Sequence, residues 1–587
     1  MKDKGMHRIE KSPTYPNARR PANIVEALQQ HAVEKPSEVA FRYLDNAGNE
    51  AIVNSYSELV ATCERVAASL QNQGLAGKRI IILLPNEPAF VYAYLGCVLG
   101  GAISIPIEPT RRLNTQERLE GVIRDARPAV IISNQGTLRN IFSQNSPVPC
   151  VFHGVPIIDI DSLAEKIAAD QCEATWKPSE ISHLQYTSGS TSKPKGVIVS
   201  HENVINNCRD IADVAGDGVQ HTVVGWVPFT HDMGLVGLLC LPVLMGFPFV
   251  FMQPSTFVMR PHLWLEAITK YGGTISAAPN FAFQLCAQRI SEARRRDLDL
   301  QSLVALFNGA ERVDASTLTQ FCQAFEACGL SANALLPCYG MAECTLMVTS
   351  RRSNTRLVVK QLDENGKLHD QHAHRLSSVS LVSCGTPTGT TKVVIIKPNE
   401  SEVLPSGDVG EICVHGSSVT PGYLTAHDHM QTKTHGALVC INGLQYFRTG
   451  DLGFIDNEEL FVTGRQKDMI ILAGRNVFPD DIEKIVEESH EGIRSGRAIA
   501  FSINVDTEEK LVVVAELANK FVQISQDELE NTTRIAIAQQ AQVGLHELCL
   551  VRSGELPRTL SGKKQRQQCA AMYKDVWNRS LESKLAN

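Results

Sequence analysis

Short apolar runs alternate with longer amphipathic stretches over most of the chain, and this alternation predicts strands and helices in turn. The runs at 79–84 and 102–107 are brief and strongly apolar, as buried strands are. Asn86 can cap a helix between them, and a polar helix after the second run leads to the apolar stretch AVIISN. Because helices that separate strands in this way cover a parallel sheet, the sequence predicts an α/β fold.

The same alternation resumes at residue 183 and changes character near residue 379. A strand at 183–187 is followed by a loop rich in serine, threonine and glycine, and then by a helix over about 202–214. Between 379 and 450, short alternating runs are separated by glycine and proline turns, which indicates antiparallel strands. We therefore expect a large N-terminal domain of βα-type sheets covered by helices, with a small β-barrel-like part.

The C-terminal stretch differs again. Pro479 can begin a helix, and the sequence AIAFSINVDTEEKLVVVAEL predicts two strands around an acidic turn. At roughly 100–200 residues per domain, a chain of 587 residues has several domains. We expect an N-terminal arm over 1–20, a large domain over 21–465 and a small, mobile α+β domain over 466–587.

Composition narrows the class of protein. Hydrophobic residues make up 43% of the chain and charged residues 20%, which is ordinary for a globular protein. The net charge of −7 argues against a chain built to coat nucleic acid. The 16 cysteines form no CxxC pair, and the start MKDKGMHRIEKSP lacks the apolar core of a signal peptide. We therefore expect a cytoplasmic protein with reduced thiols and no nucleic acid partner.

One charge-free stretch, 233–259, is long enough to cross a bilayer. Three prolines interrupt it, and they favour turns over one continuous helix. We predict a buried helix over about 233–245 and a buried strand at 247–252 in the core of the α/β domain. On this interpretation the protein has no membrane span.

The strongest chemical signal is the segment 186–196, YTSGSTSKPKG. Small residues let backbone N–H groups approach phosphate oxygens, hydroxyls add donors and lysine supplies positive charge. A flexible surface linker between a strand and a helix would not need this composition. Because the GxxxxGK[ST] pattern is absent, the segment predicts a phosphate-binding loop that differs from a Walker A loop.

Five further segments carry polar or charged residues in an ordered series. They are FTHDMG at 229–234, YGMAE at 339–343, RTGD at 448–451, GRQKD at 464–468 and PRTLSGK at 557–563. Singly, each has an ordinary explanation: Asp451 can be a turn residue, His231 a satisfied loop histidine and Lys563 a solvated charge. Their joint order and spacing are much more specific.

Together these motifs resemble those of the adenylate-forming superfamily, which includes acyl-CoA synthetases, adenylation domains of peptide synthetases and luciferases. The resemblance extends from about residue 22 to about residue 575. It implies that a carboxylate is activated with ATP and Mg²⁺ to give an acyl adenylate and pyrophosphate. A thiol then takes the acyl group.

The resemblance implies nucleotide contacts for most of the matched residues. For the phosphates it implies Thr187, Ser188, Gly189, Ser190, Thr191 and Lys195. For the nucleoside, with Tyr339 against adenine, it implies Gly309, Ala310, Glu311, Tyr339, Gly340, Met341 and Ala342. Asp451 would accept hydrogen bonds from the ribose hydroxyls, and Arg465 would lie on the ribose and phosphate side.

The same resemblance implies catalytic roles for Lys563, Glu343, His231 and Thr187. Glu343 and Thr187 would hold Mg²⁺, a hard cation that takes few carboxylates and several waters. Lys563 would reach from the small domain to the reacting carboxylate and the α-phosphate, where negative charge gathers. Lys467 matches the hinge about which the small domain rotates between the two half-reactions.

The expected substrate pocket is mostly apolar. Its members are Phe229, His231, Asp232, Met233, Gly234, Phe281 and Phe283. The charge-free helix that follows suits an alkyl chain, at ~0.8 kcal/mol per buried CH₂. A role of these aromatic residues in the core alone is equally natural. We therefore expect a medium- or long-chain fatty acid as substrate, without a prediction of its length.

The segment between Glu343 and Gly385 distinguishes members of the superfamily. Its 41 residues exceed the length typical of acyl-CoA synthetases, and the runs NGAERV and SCGTP resemble those of fatty acyl-AMP ligases. In that subfamily an insertion, here at about 352–375, braces the two domains against each other and disfavours the rotated state that uses CoA. The acyl group then passes to an acyl carrier protein, or to a carrier domain of a polyketide or peptide synthetase.

Two alternatives stay open. If the insertion is an ordinary surface loop, the chain is an AMP-forming fatty acyl-CoA synthetase that transfers the acyl group to CoA. The chain can also be an inactive nucleotide-binding scaffold, although the presence of Lys195, Glu343, Asp451 and Lys563 argues against that.

Overall fold

The first large sheet of the structure, a computed structural model, has nine strands. In spatial order they are Thr386–Pro387, Met347–Ser350, Leu335–Gly340, Ala305–Gly309, Ile275–Pro279, Val223–Gly225, Phe249–Met252, Val39–Leu44 and Glu50–Ser55. The six strands from Leu335–Gly340 to Val39–Leu44 are parallel, and the outer strands are antiparallel. The central strands are buried at every position, because helices cover both faces.

The residues that the structure describes are 21, 23–109, 113–141, 151–165, 180–187, 195–216, 219–353, 355–362, 368–369, 379–424, 438–472, 475–505, 508–518, 525–558 and 563–573.

A second sheet of eight strands packs beside the first. In spatial order its strands are Gly422–Tyr423, Lys195–Ser200, Ile181–Thr187, Ile103–Pro106, Arg79–Ile82, Val130–Ser133, Val155–Asp159 and Val151–Phe152. The five strands from Ile181–Thr187 to Val155–Asp159 are parallel. The predicted strands at 79–84, 102–107 and 183–187 are all present, with ends that differ by up to two residues.

Helices connect and cover the strands, which confirms the predicted α/β class. The α-helices before residue 466 are Ile24–Glu34, Tyr56–Asn72, Pro88–Leu99, Leu113–Ala126, Gln135–Ile141, Ile160–Glu165, His201–Ala215, Leu241–Met245, Pro254–Met259, His262–Tyr271, Asn280–Arg289, Glu292–Arg295 and Ala315–Phe325. Local sequence fixes several of their starts. The helix His201–Ala215 begins with a capping box, in which Ser200 and Asn203 each bind the other's backbone N–H.

Two smaller antiparallel sheets follow. One has the strands Lys392–Ile396, Gly410–His415, Leu444–Asp456, Leu438–Ile441 and Glu459–Arg465, and it corresponds to the part predicted as barrel-like. The other, which we call the insertion sheet, has the strands Leu368–His369, Val359–Leu362 and Val379–Val382. The described residues of the predicted insertion at 352–375 supply its first two strands, and the third follows directly.

The C-terminal part is an α+β unit with a core of its own. It has the hairpin Ile470–Leu472 and Arg475–Val477, the strands Ile493–Val505, Glu508–Leu517 and Leu545–Val551, and the helices Pro479–Ser489, Gln526–Gln540 and Arg566–Met572. Its core includes Ile482, Leu511 and Ile537, none of which is exposed. As predicted, a helix starts at Pro479, and two aspartates occupy its positively polarised first turn.

The charge-free stretch folds as a buried helix and strand, as predicted, but with one unexpected feature. Met233–Cys240 is a π-helix, Leu241–Met245 continues as an α-helix, and Phe249–Met252 is a central strand. All eight residues of the π-helix are buried. Among the described residues, no helix is long and apolar enough to cross a membrane.

A buried set of ion pairs holds the C-terminal part together. Glu483 is fully buried and accepts hydrogen bonds from Arg566 Nε and Lys564 Nζ, both at 2.8 Å. Arg566 also pairs with Asp480 at 2.5 Å. Burial acts to raise the pKa of Asp480, but Arg566 and the other cationic neighbours of Asp480 outweigh that effect and lower the pKa to about 2. Arg566 therefore neutralises the fully buried carboxylate of Glu483 and the partly exposed carboxylate of Asp480.

Replacing Arg566 by leucine should destabilise the C-terminal part by about 3–5 kcal/mol, because the fully buried carboxylate of Glu483 then loses its arginine partner. The measurement is the free energy of unfolding from urea titration at pH 7. Arg294→Leu is the matched control, since its pair with Glu266 at 3.4 Å is exposed, and it should cost no more than about 1 kcal/mol. Equal losses for the two variants would contradict this account of the network.

Candidate functional site

The two ends of the predicted phosphate loop lie side by side. The strands Ile181–Thr187 and Lys195–Ser200 are antiparallel, with Tyr186 opposite Gly196 and Thr187 opposite Lys195. Tyr186 donates its hydroxyl to Asp125 at 2.5 Å, and its ring covers Gly196 so closely that a Cβ there would lie 2.8 Å from it. The hairpin therefore presents Lys195 and the backbone of Thr187 at one end of the sheet. The predicted contacts Ser188, Gly189, Ser190 and Thr191 fall outside the described residues, as does the side chain of Thr187.

Asp451 lies at the centre of a second group. Its Oδ2 accepts a hydrogen bond from Tyr339 at 2.7 Å, and its Oδ1 pairs with Arg465 Nε at 3.1 Å. The strand pairing Asp451–Arg465 sets this geometry, since the two residues face each other across neighbouring strands. Asp451 raises the pKa of Arg465, and burial raises the pKa of Tyr339. Each carboxylate oxygen of Asp451 keeps a lone pair for a further donor, such as a ribose hydroxyl.

Tyr339 contributes more than a ring to this group. It is 8% exposed and packs with Met341, Val348 and Cys384 in a small core cluster. Because its hydroxyl is bound to Asp451, the position of its ring and the orientation of the carboxylate are linked. The prediction of a face against adenine is compatible with this position and stays a prediction.

Glu343 projects from a tight turn. The turn Ala342–Cys344 is a 3-10 helix, and Gly340 before it lies so close to Leu346 O that a Cβ would be 1.7 Å away. Thr345 after it has a φ of +68°, which is costly for a β-branched residue. Such strain is common where a backbone is forced to aim a functional group. Here the group that it aims is the carboxylate of Glu343.

The segment Gly309-Ala310-Glu311 begins at the last residue of the central strand Ala305–Gly309. Ala310 has a φ of +67°, a second strained position. Glu311 accepts a hydrogen bond from Phe281 N at 2.6 Å, so it caps the backbone at the start of the helix Asn280–Arg289. Burial raises the pKa of Glu311, although Arg558, Lys564 and Lys563 act against that rise.

His231 and Asp232 stand at the start of the π-helix. The distance between His231 Nδ1 and Asp232 Oδ1 is 2.6 Å, and Asp232 also accepts Met233 N at 2.7 Å. Burial raises the pKa of Asp232, but His231 and then Lys563 outweigh it and hold the pKa at about 2. Asp232 is therefore a fixed negative charge. Met233 points towards Gly309, where its Cε would lie 3.7 Å from an added Cβ.

Lys563 joins these groups from the C-terminal part of the chain. It interacts electrostatically with Asp232, Arg465, Glu311 and Asp451, which come from four separate segments. Burial lowers the pKa of Lys563 from its ordinary value. The sequence separates Lys563 from Asp232 by more than 300 positions, yet the fold brings both to one place.

The predicted aromatic residues differ in their surroundings. Phe229 is 1% exposed and contacts Phe90 and Phe251 at ring-centroid distances of 5.3 and 4.8 Å. Phe283 is fully buried against Phe321. These contacts show that both rings belong to the core.

Phe281 and Lys467 occupy less enclosed positions. Phe281 is half-buried beside Trp226, whose ring centroid is 6.1 Å away. Lys467 lies in the short 3-10 helix Gln466–Asp468 directly after Arg465, so it is close to the Asp451 group. Its predicted role as a hinge stays a prediction.

Sequence analysis missed two residues that the structure brings into this region. Tyr423 donates its hydroxyl to Glu343 at 2.6 Å. Arg312 pairs with Asp481 of the helix Pro479–Ser489 at 2.5 Å. Arg312 lies in the NGAERV run, which resembles that of fatty acyl-AMP ligases, so the sequence contained a signal for it. No comparable signal marked Tyr423, which lies outside the motifs that were singled out.

Gly234, in the π-helix, lies directly against the backbone of Val227 and Pro228, which leaves no room for a side chain. An alanine Cβ there would lie 2.1 Å from Pro228 O, so Gly234→Ala should cost about 2–3 kcal/mol through overpacking against backbone. At Gly237 the nearest atom is the end of the Leu346 side chain at 3.1 Å, which can move. Gly237→Ala should therefore change stability by less than about 1 kcal/mol. Thermal unfolding of both variants tests this, and the opposite ranking would refute it.

Two family descriptions match the chain. "AMP-binding enzyme" matches residues 28–424, and "Disco-interacting protein 2-like, AMP domain" matches residues 467–581. The chain is 33% identical over 562 residues to the medium-chain-fatty-acid–[acyl-carrier-protein] ligase JamA of Moorena producens (strain JHB). That alignment covers 94% of this chain and 95% of that protein.

Two other proteins are also similar to the chain over most of its length. The putative fatty-acid–CoA ligase FadD21 of Mycobacterium tuberculosis (strain ATCC 25618 / H37Rv) is 35% identical over 575 residues, with 94% of this chain and 98% of that protein covered. A crystal structure of the fatty acyl-adenylate ligase from L. pneumophila, in complex with acyl adenylate and pyrophosphate, has a TM-score of 0.69 and 32% identity. It covers 95% of this chain and 97% of that chain.

Proposed function

The chain belongs to the AMP-binding enzyme family, and on that premise we propose that it activates a medium- or long-chain fatty acid and passes it to an acyl carrier protein. The fatty acid carboxylate attacks the α-phosphorus of ATP, the bond to the β-phosphate breaks, and acyl-AMP and pyrophosphate form. A phosphopantetheine thiol then attacks the acyl carbonyl and releases AMP. The observation that carries this proposal is the interaction of Lys563 with Asp232, Glu311, Arg465 and Asp451.

Lys563 is suited to the first step. Its half-buried side chain interacts electrostatically with carboxylates that come from the large domain. A preorganised cation in such a place stabilises the charge that gathers between the carboxylate and the α-phosphate. Asp451 supports the same step from the nucleoside side, by accepting hydrogen bonds from the ribose. Lys467 would then act as the hinge between the two arrangements of the small domain, over 466–587.

The described residues fit a magnesium ion that is held largely by phosphate. They contain no cluster of three or more His, Cys, Asp or Glu side chains that could bind a metal alone. Glu343 offers one carboxylate, and Mg²⁺ commonly takes one or two carboxylates plus phosphate oxygens and waters. When bound, Mg²⁺ would neutralise charge on the phosphates. Thr187, as the expected second contact, and the 188–191 hydroxyls complete the proposed phosphate site with Lys195.

Transfer to a carrier protein, instead of CoA, is supported by contacts of the insertion sheet. Arg312 Nη1 pairs with Asp481 at 2.5 Å, and its Nη2 approaches Ser380 O, in the strand Val379–Val382, at 3.5 Å. Lys484 of the same helix as Asp481 pairs with Asp314 at 2.5 Å. One arginine of the large domain thus contacts both the insertion sheet and the C-terminal part. Such a brace favours the present arrangement over a rotated one by population shift.

The second candidate is a fatty acyl-CoA synthetase, which the printed name of FadD21 favours. The two functions share the adenylation step and differ in the acceptor thiol. Mass spectrometry of the products from ATP, mixed fatty acids, CoA and a holo carrier protein separates them. Acyl-carrier product with little acyl-CoA supports the proposal, and efficient acyl-CoA formation by the intact enzyme contradicts it.

The cytoplasm is the compartment that we propose. The fourteen cysteines in the described part of the chain form no disulfide with one another, which suits a reducing environment.

Lys563→Ala should abolish adenylate formation while ATP still binds. The loss should be at least about 10²-fold, because the variant lacks a preorganised cation where charge develops. Fatty-acid-dependent exchange of pyrophosphate into ATP measures the first step, and calorimetry measures ATP binding. Lys392→Ala is the control, because Lys392 is exposed and lies far from Lys563 in the sequence. This variant should behave as the unaltered protein does. Retained exchange in the Lys563 variant would remove that lysine from the mechanism.

Lys563→Arg should change the pH dependence. Because burial lowers the pKa of Lys563, its charge is lost as pH rises through a value below 10.5. Adenylation should fall over that range, whereas arginine stays charged. The arginine variant, though slower, should therefore lose the alkaline decline in pyrophosphate exchange. An unchanged decline would show that another group titrates.

Weakening the brace should raise acyl-CoA formation. We expect deletion of 352–375, and to a lesser extent Arg312→Ala, to increase acyl-CoA formation. If the brace then stabilises the present arrangement by about 1–2 kcal/mol less, the population of the rotated state rises roughly 5–30-fold. Acyl-AMP formation should remain within about twofold, because the adenylation arrangement stays accessible. Arg289→Ala, at an exposed arginine, is the control. No rise in either brace variant would argue for the surface-loop interpretation.

A further inference from the structure

The segment 417–424 connects the phosphate loop to the turn that carries Glu343. On one side, the strand Gly422–Tyr423 pairs with Lys195–Ser200, so that Tyr423 lies opposite Val197. Leu424 N also donates to Gly196 O at 2.8 Å. The segment is thereby fixed to the strand that leaves the phosphate loop.

The same segment is fixed to the other side of the site. Thr420 N donates to the backbone oxygen of Glu343 at 2.9 Å, and Thr345 Oγ1 donates to Ser418 O at 2.7 Å. These bonds hold both ends of the strained turn around Glu343. Segment 417–424 is therefore a bridge between two parts of the chain that are about 150 residues apart in sequence.

The Tyr423 side chain also connects the two sides of the site, because it contacts one charged group on each side. Its hydroxyl donates to Glu343 Oε1 at 2.6 Å, and the Lys195 Nζ lies 5.5 Å from its ring centroid. One half-buried side chain thus contacts a carboxylate through its polar end and an ammonium group through its aromatic face.

We propose that Tyr423 is a positioning residue for the magnesium–ATP complex, acting through Glu343 and Lys195. By binding Oε1, its hydroxyl fixes the rotation of the carboxylate that would hold the metal ion. Its ring limits the positions open to the Lys195 ammonium beside the phosphates. The inference rests on the proposed function, and it adds a residue that sets the spacing between the metal-binding and phosphate-binding charges.

A purely structural tyrosine would give a different pattern of effects. Loss of its hydroxyl would lower stability without altering how ATP binding depends on magnesium. Outer contacts of metal ligands typically change metal affinity about 10–100-fold when they are removed. The magnesium dependence of ATP binding is therefore the informative measurement, and it requires no turnover.

The experiment titrates MgCl₂ into the full-length protein at fixed ATP and records ATP binding by calorimetry. Tyr423→Phe should raise the magnesium concentration at half-maximal binding by about tenfold, while the affinity for ATP at saturating magnesium changes less than about twofold. Tyr423→Leu, which also lacks the ring, should in addition weaken ATP binding at saturating magnesium. Tyr92→Phe is the matched control, because Tyr92 donates an equally short bond, 2.6 Å, to Asn54 outside the site.

A double variant tests the route through Glu343. In a Glu343→Gln background, Tyr423→Phe should cause no further rise in the magnesium midpoint. An unshifted midpoint in Tyr423→Phe, or an equal shift in both backgrounds, would overturn the inference while the proposed function stands. Absence of magnesium-dependent ATP binding by the unaltered protein would overturn both. If Tyr423→Phe unfolds, Tyr423→Trp, which keeps an aromatic face without that hydroxyl, must show the midpoint shift, and a normal midpoint there would also overturn the inference.

Discussion

The site depends on ion pairs that hold the C-terminal part against the large domain. Arg312 with Asp481, and Asp314 with Lys484, join the loop after a central strand to the first turns of the helix Pro479–Ser489. Lys563 belongs to the same C-terminal part, so this contact favours the arrangement in which Lys563 lies near the large-domain carboxylates. Without it, that arrangement would be less populated, although it would still be accessible.

Electrostatic balance explains why these charges tolerate burial. Asp232, Glu311 and Asp451 supply negative charge, and Lys563 and Arg465 supply positive charge. Burial alone would raise the pKa of Asp232 and Glu311 and lower that of Lys563, so each of these three groups depends on its neighbours to stay ionised. A bound triphosphate and carboxylate would add negative charge to this set. The cations contributed by both domains are therefore matched to the substrates as well as to the protein.

Much of the fold was predictable because its signals are local. Short apolar runs marked the central strands, and Pro479 marked a helix start correctly. The π-helix at Met233–Cys240 was not predictable, because its hydrogen bonding depends on close backbone contacts such as that between Gly234 and Pro228 O. The motifs indicated Asp451 and Glu343, but they could not show Tyr423, whose importance arises only when its strand pairs with the phosphate-loop strand.

The most direct test of the central claim is a crystal structure of this protein with bound acyl adenylate. We expect Lys563 Nζ within about 3 Å of an oxygen of the adenylate phosphate or of the acyl carbonyl, with the Arg312–Asp481 pair intact. A structure that keeps that pair but leaves the Lys563 amine out of reach of the adenylate would contradict the account.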